Sequence, residues 1–205
     1  IAMARGLFAD EDYMEKCLTG RGDDIVPCIW CNKCHGTMTP PWISFCSVNP
    51  RLGIDPMLLK TLPAGGAKKK VAIVGGGPIG MRAAMMAAEQ GHQVTLFEKT
   101  DYLGGQLRHS DYVSFKWPLR DYKDYLVRQL DKHGITVRMN TLATPELLEQ
   151  EGFEAVIAAT GAVPNIPKFA QDETGTLKAG LKTCLDVFGH EDELGKRVII
   201  VGGSE

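Results

Sequence analysis

What the chain has little of excludes several kinds of protein. It holds no run of about 18 apolar residues, the length a helix needs to span a bilayer, so no transmembrane segment is expected. Lys and Arg number 23 against 25 Asp and Glu, for a net charge of −2. That balance lacks the basic excess that phosphate backbones attract, so no nucleic-acid partner is expected. The single basic cluster, Lys68-Lys69-Lys70, precedes an apolar run and reads as the solvated approach to a strand. The first residues, "IAMARGLFADEDY", lack the charged and then apolar regions of a signal peptide. A cytoplasmic location without a membrane partner is therefore the expectation. The chain does not begin with Met and ends at "RVIIVGGSE", where a strand runs into a turn, so a piece of a longer protein is expected.

What is present supports a folded α/β chain. With 44% hydrophobic and 23% charged residues, a core can form. The 205 residues suffice for one medium domain or two small ones. Near the N-terminus Asp10 is placed to cap a helix carrying Tyr13, Met14, Cys17 and Leu18 and stopping at Gly20. Residues 21–66 hold Pro27, Pro40, Pro41, Pro50, Pro56 and Pro63 and show little periodicity, so they need an outside constraint to be ordered. Residues 63–70 read as a linker. Residues 70–99 then give an apolar run, a glycine turn, an alanine-rich helix and a second apolar run, which is one βαβ unit. A helix over 119–133, a strand at 135–140, a short helix with Thr144 before Pro145 and a strand at 154–161 follow. The echo of "VAIVGGGP" in "VIIVGGSE" suggests a second nucleotide-binding unit with one more strand.

Gly75, Gly77 and Gly80 form G-x-G-x-x-G between a strand and a helix. In that motif the first glycine makes the tight turn, the second admits a pyrophosphate and the third lets helix and strand pack closely. Free N–H groups at the helix start then face the phosphates. Glu98 ends the second strand, 23 residues after Gly75, where a carboxylate accepts hydrogen bonds from ribose hydroxyls and repels a 2′-phosphate. Two further glycine turns, at 102–108 and 158–167, are either backbone approaches to a cofactor or ordinary turns.

The cysteines read Cys28-x2-Cys31-x2-Cys34, then 11 residues, then Cys46. A disulfide framework belongs to secreted domains, and nothing here indicates secretion. Structural zinc usually takes two separated C-x-x-C knuckles. Three clustered cysteines with one more distant favour a cubane iron–sulfur cluster, with zinc as the alternative. His35, a conceivable zinc ligand, reads as packed or hydrogen-bonded. Cys17 reads as a helix packing position and Cys184 as a buried small residue.

Together these residues resemble the iron–sulfur flavoenzymes related to 2,4-dienoyl-CoA reductase, 2-enoate reductase and trimethylamine dehydrogenase, an NADH:flavin oxidoreductase group with an old yellow enzyme-like barrel. The likeness covers nearly the whole chain. It implies a Rossmann-like, disulfide-reductase-like FAD/NAD(P)-binding domain preceded by a cysteine-rich loop from the end of a TIM barrel. Residues 1–27 would end that barrel, 28–66 would carry the cluster loop and linker, 67–190 would bind FAD, and 191–205 would begin the NAD(P)H unit. Cys28, Cys31, Cys34 and Cys46 would ligate a [4Fe–4S] cluster. Gly75, Gly77, Pro78, Gly80, Glu98, Lys99, Gly105, Gln106, Thr160 and Gly161 would line FAD. Arg5 matches an arginine near the family's FMN phosphate, FMN itself belonging to the barrel.

The activity this resemblance implies runs from NAD(P)H through FAD and the cluster to FMN, and on to an activated C=C bond of an enoate or enoyl-CoA. Such an enzyme takes a small-molecule substrate and is compatible with a homo-oligomer. Its catalytic acid would lie in the barrel, so Tyr102, His109 and Tyr112 read as ordinary domain residues and this stretch alone as incomplete in activity. Reductases of this group often have three residues between the second and third cysteines. Here there are two, as in amine dehydrogenases, some of which hold ADP in place of FAD. An amine dehydrogenase relative and a zinc-stapled, non-redox nucleotide-binding module therefore remain as rival readings.

Overall fold

The computed structural model describes residues 3–36, 45–54 and 66–202. The middle of the 21–66 segment, part of the 63–70 linker and the last glycine of "VIIVGGSE" lie outside them. The chain forms two compact units, residues 1–161 and 162–205.

The first unit is built on a four-stranded parallel sheet of order β3-β2-β1-β4. Its strands are β1 (Lys70–Val74), β2 (Gln93–Phe97), β3 (Thr136–Arg138) and β4 (Ala155–Ala158). Strand β1 pairs with β2 through Val71–Val94 and Ile73–Leu96, and with β4 through Ala72–Val156. It is buried on both faces, as a parallel strand between two neighbours should be. Alternation then sorts the side chains. Val71, Ile73, Val94 and Leu96 point into one core, while Ala72 and Phe97 enter a second one with Leu148.

The helices numbered along the chain begin with α1 (Arg5–Ala9), α2 (Tyr13–Leu18) and α3 (Lys33–Gly36) in the N-terminal segment. Helices α4 (Pro78–Glu89) and α5 (Trp117–Lys132) cover the larger core. Helix α4 starts on Pro78, whose fixed φ and missing N–H suit a first turn, and buries Met81, Ala84 and Met85. Helix α5 buries Pro118, Tyr122, Tyr125, Leu126, Gln129 and Leu130, a stripe at three- and four-residue spacing. Each fully buried Leu, Met, Ile or Phe here contributes about 1.5–3 kcal/mol. The second core lies under α6 (Pro145–Gln150), capped by Thr144 Oγ1, which accepts from Leu147 N at 3.3 Å.

Asp10 does not cap α2. The residue is 5% exposed, and its carboxylate accepts from Lys16 Nζ at 2.7 Å, Val26 N at 2.8 Å and Asp12 N at 3.0 Å. A buried carboxylate is tolerated when it is paired and hydrogen-bonded in this way, and the result pins residues 10–26 into a compact turn. Ala9 and Val48 join the larger core, with Val26, Cys28, Ile29 and Cys46 packed beside them. The N-terminal helix expectation also fails at its apolar face. Cys17 is exposed, as are Met14 and Leu18: this face of α2 is turned to solvent.

The second unit is made of short turns. Asp172 organises one by accepting from Thr174 and Thr176, backbone and hydroxyl alike. A capping box between Thr183 and Asp186 starts α7 (Cys184–Val187). Cys184 is exposed, which corrects the expectation of a buried small residue. The strand expected at 198–201 does not form: Ile199 and Ile200 are 91% and 85% exposed, without a ladder partner among the described residues. An isolated strand leaves its backbone groups unpaired and has no reason to persist. Among the described residues no helix is long and apolar enough to cross a membrane.

Candidate functional site

The parallel sheet delivers β1, β2 and β4 to one end, and the glycines of the first turn sit there. Gly75 takes φ +112°, and its N–H donates to Phe97 O at 2.8 Å. A Cβ on Gly75 would stand 2.4 Å from Ala159 O, and one on Gly80 would stand 1.9 Å from Gly75 O. Both glycines are therefore demanded by the protein's own packing, Gly75 against the end of β4 and Gly80 against the turn beneath α4. Gly77 is different. Its φ of −75° suits any residue, and a Cβ there would meet only Gly105 Cα, at 4.0 Å. Among the described residues nothing requires glycine at this position. The room left in front of its backbone is what a close-approaching pyrophosphate needs.

The structure brings the second glycine turn to the first. Gly104 N donates to Gly76 O at 2.8 Å. Gly104 and Gly105 take φ +110° and +52°, and a Cβ on Gly105 would lie 3.0 Å from Gly77 Cα. Gln106 continues this turn into the run Gly105–Tyr112. The third turn arrives from β4: Ala159 N donates to Val74 O at 2.8 Å, and Thr160 Cα is 3.4 Å from the position of a Gly75 Cβ. Gly161 adds a left-handed residue at φ +76°.

Glu98 closes the back of the site. It is 8% exposed; Oε2 accepts from Gly76 N at 2.8 Å, and Oε1 accepts from Thr100 N at 2.9 Å and Thr100 Oγ1 at 2.8 Å. Burial pushes its pKa up, but the bonds from Thr100 and Gly76, with the charge of exposed Lys99, outweigh burial and hold the carboxyl below its usual range. Three of the roughly four acceptor positions of a carboxylate are thus used by the protein, leaving one on Oε2. Neither this bracing nor the roles of Gly76 and Thr100 were read from the sequence. The triple glycine at 75–77 and a Thr two residues after Glu98 were the available signals.

The cysteines lie on two neighbouring stretches of the same unit. Cys28, Cys34 and Cys46 are half-buried and Cys31 is exposed; all four are free thiols. Cys31 sits between Trp30 and Asn32, both at φ +55°. Three contacts hold the loop. Arg5 Nη1 donates to Asn32 Oδ1 at 2.7 Å, Cys31 Sγ lies 3.3 Å from Ser47 Oγ, and Trp30 meets Trp117 edge to face with centroids 4.7 Å apart. Burial raises the Cys31 pKa, but Ser47 and backbone donors more than offset that and favour the thiolate. His35 is exposed and so is not packed. Among the described residues no group of three or more His, Cys, Asp or Glu side chains is drawn together closely enough to hold a metal. The fit to a metal centre therefore rests on the donor set, four free thiols within one unit. A cleft of about 700 Å³ beside Cys28 is lined by Arg5, Tyr13, Trp30, Trp117 and Arg128, among others.

The family described as FAD dependent oxidoreductase matches residues 70–145, which span β1 through the start of α6. The chain is 35% identical over 210 residues to an NADH oxidase of Thermoanaerobacter brockii, covering 99% of this chain and 31% of that protein. It is 34% identical over 206 residues to a cinnamate reductase of Clostridium sporogenes, covering 99% of this chain and 30% of that one. A solved structure of 2-naphthoyl-CoA reductase with 2-naphthoyl-CoA superposes with a TM-score of 0.75 at 37% identity, over 81% of this chain and 25% of that one. The chain thus spans under a third of the length of these relatives. Glycine turns at one end of a parallel sheet, the matched region and similarity along almost the whole chain agree: residues 70–145 carry an FAD dependent oxidoreductase region, and the chain is similar throughout to flavin oxidoreductases of the NADH oxidase and cinnamate reductase kind.

Proposed function

We propose that the protein is part of an NAD(P)H-dependent flavin oxidoreductase of the ene-reductase type, acting on an activated C=C bond of an enoate or enoyl thioester. The observation that carries this reading is the unfilled backbone room at Gly77, faced by Gly105. Its fit to FAD is supported by the family match over residues 70–145. In this reading Gly75 and Gly80 shape the turn, and Gly77, Pro78, Gly105 and Gln106 border the pyrophosphate. Thr160 and Gly161 approach from β4. Glu98 uses its remaining acceptor position for the ribose, with Lys99 beside it. Cys28, Cys31, Cys34 and Cys46 hold a [4Fe–4S] cluster, and Arg5 reaches the phosphate of FMN. Residues 1–27 then close a flavin barrel, 28–66 carry the cluster, 67–190 form the FAD domain and 191–205 open the NAD(P)H unit.

When bound, these groups would supply the redox chemistry, dividing a hydride from NAD(P)H into single-electron steps and recombining them at the substrate. The chain's own share is position. Buried Glu98 holds the Gly76 peptide still, the facing glycines give the cofactor a backbone surface, and Cys28 and Cys46 pack beside the same core. The names of the cinnamate reductase and naphthoyl-CoA reductase relatives support an acceptor of this class, and that of the NADH oxidase relative supports a nicotinamide donor.

The test is the anaerobic visible spectrum of the purified protein, with iron, zinc, acid-labile sulfide and released nucleotide measured on the same sample. About four iron and four sulfide per chain with FAD released are expected. ADP released in place of FAD would turn the reading toward an amine dehydrogenase. Zinc without sulfide would overturn the cluster and leave a nucleotide-binding module.

A further inference from the structure

Nothing in the sequence distinguishes Lys123 from the other charged residues of α5. In the structure its side chain is only 13% exposed and spans the segment that carries the second glycine turn. Its Cγ and Cδ cross directly over Gly104, where a Cβ would stand 2.7 and 2.8 Å from them. Its Nζ lies 2.5 Å from Asp111 Oδ2 and 3.5 Å from Asp124 Oδ1. Gly104 and Asp111 bound the stretch that holds Gly105, so one side chain straps both ends of it to α5.

This stretch has two adjacent glycines in left-handed conformations, the residues with the most backbone freedom to lose. It forms one wall of the glycine site, through Gly104 N to Gly76 O and through the Gly105 approach to Gly77. We propose that Lys123 is a positioning residue for the dinucleotide cofactor, holding the 104–111 segment in its binding geometry before the cofactor arrives. The inference rests on the reading of the gap between Gly77 and Gly105 as the cofactor site. Preorganisation of this kind strengthens binding by removing the ordering penalty from the binding step. The methylene stem matters more than the charge, because Asp111 is 38% exposed and an ion pair there is screened.

The experiment is FAD titration into the flavin-depleted full-length protein, alongside limited proteolysis of the same samples. Lys123→Ala is expected to weaken FAD binding by about tenfold or more, and Lys123→Met, which keeps the stem, to recover all but about threefold of it. Lys123→Ala should also speed cleavage within 104–111 in the flavin-free protein, a readout independent of cofactor binding. If Lys123→Ala does not fold, Asp111→Asn carries the test, with an expected loss of about threefold. FAD affinity within error of wild type in every variant that folds would overturn the role of Lys123. A wild-type protein that binds neither FAD nor ADP would instead overturn the cofactor reading, and this inference with it.

Discussion

Gly77 and Gly105 stand backbone to backbone: a Cβ on Gly105 would come within 3.0 Å of Gly77 Cα, while one on Gly77 would find nothing nearer than 4.0 Å. The two glycines of one contact therefore answer to different constraints. Gly105 is required by its neighbour and by its φ of +52°, whereas Gly77 is free to change as far as the fold is concerned.

That asymmetry separates folding from binding. Gly77→Ala should leave stability within about 1 kcal/mol of wild type, since its backbone suits alanine, yet weaken FAD binding at least about tenfold by occupying the space a pyrophosphate needs. Gly80→Ala should instead destabilise the fold by about 3 kcal/mol or more, because its Cβ would be driven into Gly75 O. Denaturant unfolding and FAD titration on the two variants check the contrast.

Glu98 predicts a pH dependence. Its folded pKa is depressed, so it contributes stability that is fully present above the ordinary carboxyl pKa of about 4.3 and is lost as pH falls through the folded value. Below that pKa the unfolded chain takes up a proton that the native chain refuses. Glu98→Gln should therefore flatten the fall in stability below about pH 5, as followed by urea unfolding across an acidic pH series.

The cysteines divide into two classes. In the cluster reading proposed above, serine at Cys28, Cys31, Cys34 or Cys46 should each cost most of the iron and sulfide that the wild-type protein carries. Serine at exposed Cys17 or Cys184 should leave both unchanged. Iron and sulfide assays on the anaerobically purified full-length variants decide this.

Asp10 should prove structural. Asp10→Ala would leave Lys16 with its ammonium largely buried, at 15% side-chain exposure and without its partner, and would strip acceptors from Val26 N and Asp12 N. A loss of about 2–4 kcal/mol is expected, with faster proteolysis in residues 10–26, measured by urea unfolding and timed digestion.

Much of the first unit was legible because its signals are local. Apolar runs ending in glycine, Pro145 at a helix start, Thr144 as a cap and the stripe on α5 each depend on residues within a turn or two of one another. The errors came where a local pattern had nothing to pack against. Cys17, Met14 and Leu18 have helical spacing but face solvent, and the run at 198–201 has β-branched residues without a neighbouring strand among the described residues. Asp10 looked like a cap because its position in sequence permits one, but Lys16 and Val26 N offered it stronger partners.

The sequence by itself determined the parallel α/β framework, the likeness to flavin oxidoreductases and the identity of the glycines and thiols available for cofactors, since spacing and residue type carry these. Only the tertiary structure decided which of those residues meet. Gly76 is held between Glu98 and Gly104, and Lys123 reaches Gly104 from α5. Such contacts join residues some twenty or more positions apart, and their distances are set by how helices pack on the sheet, which no local pattern records.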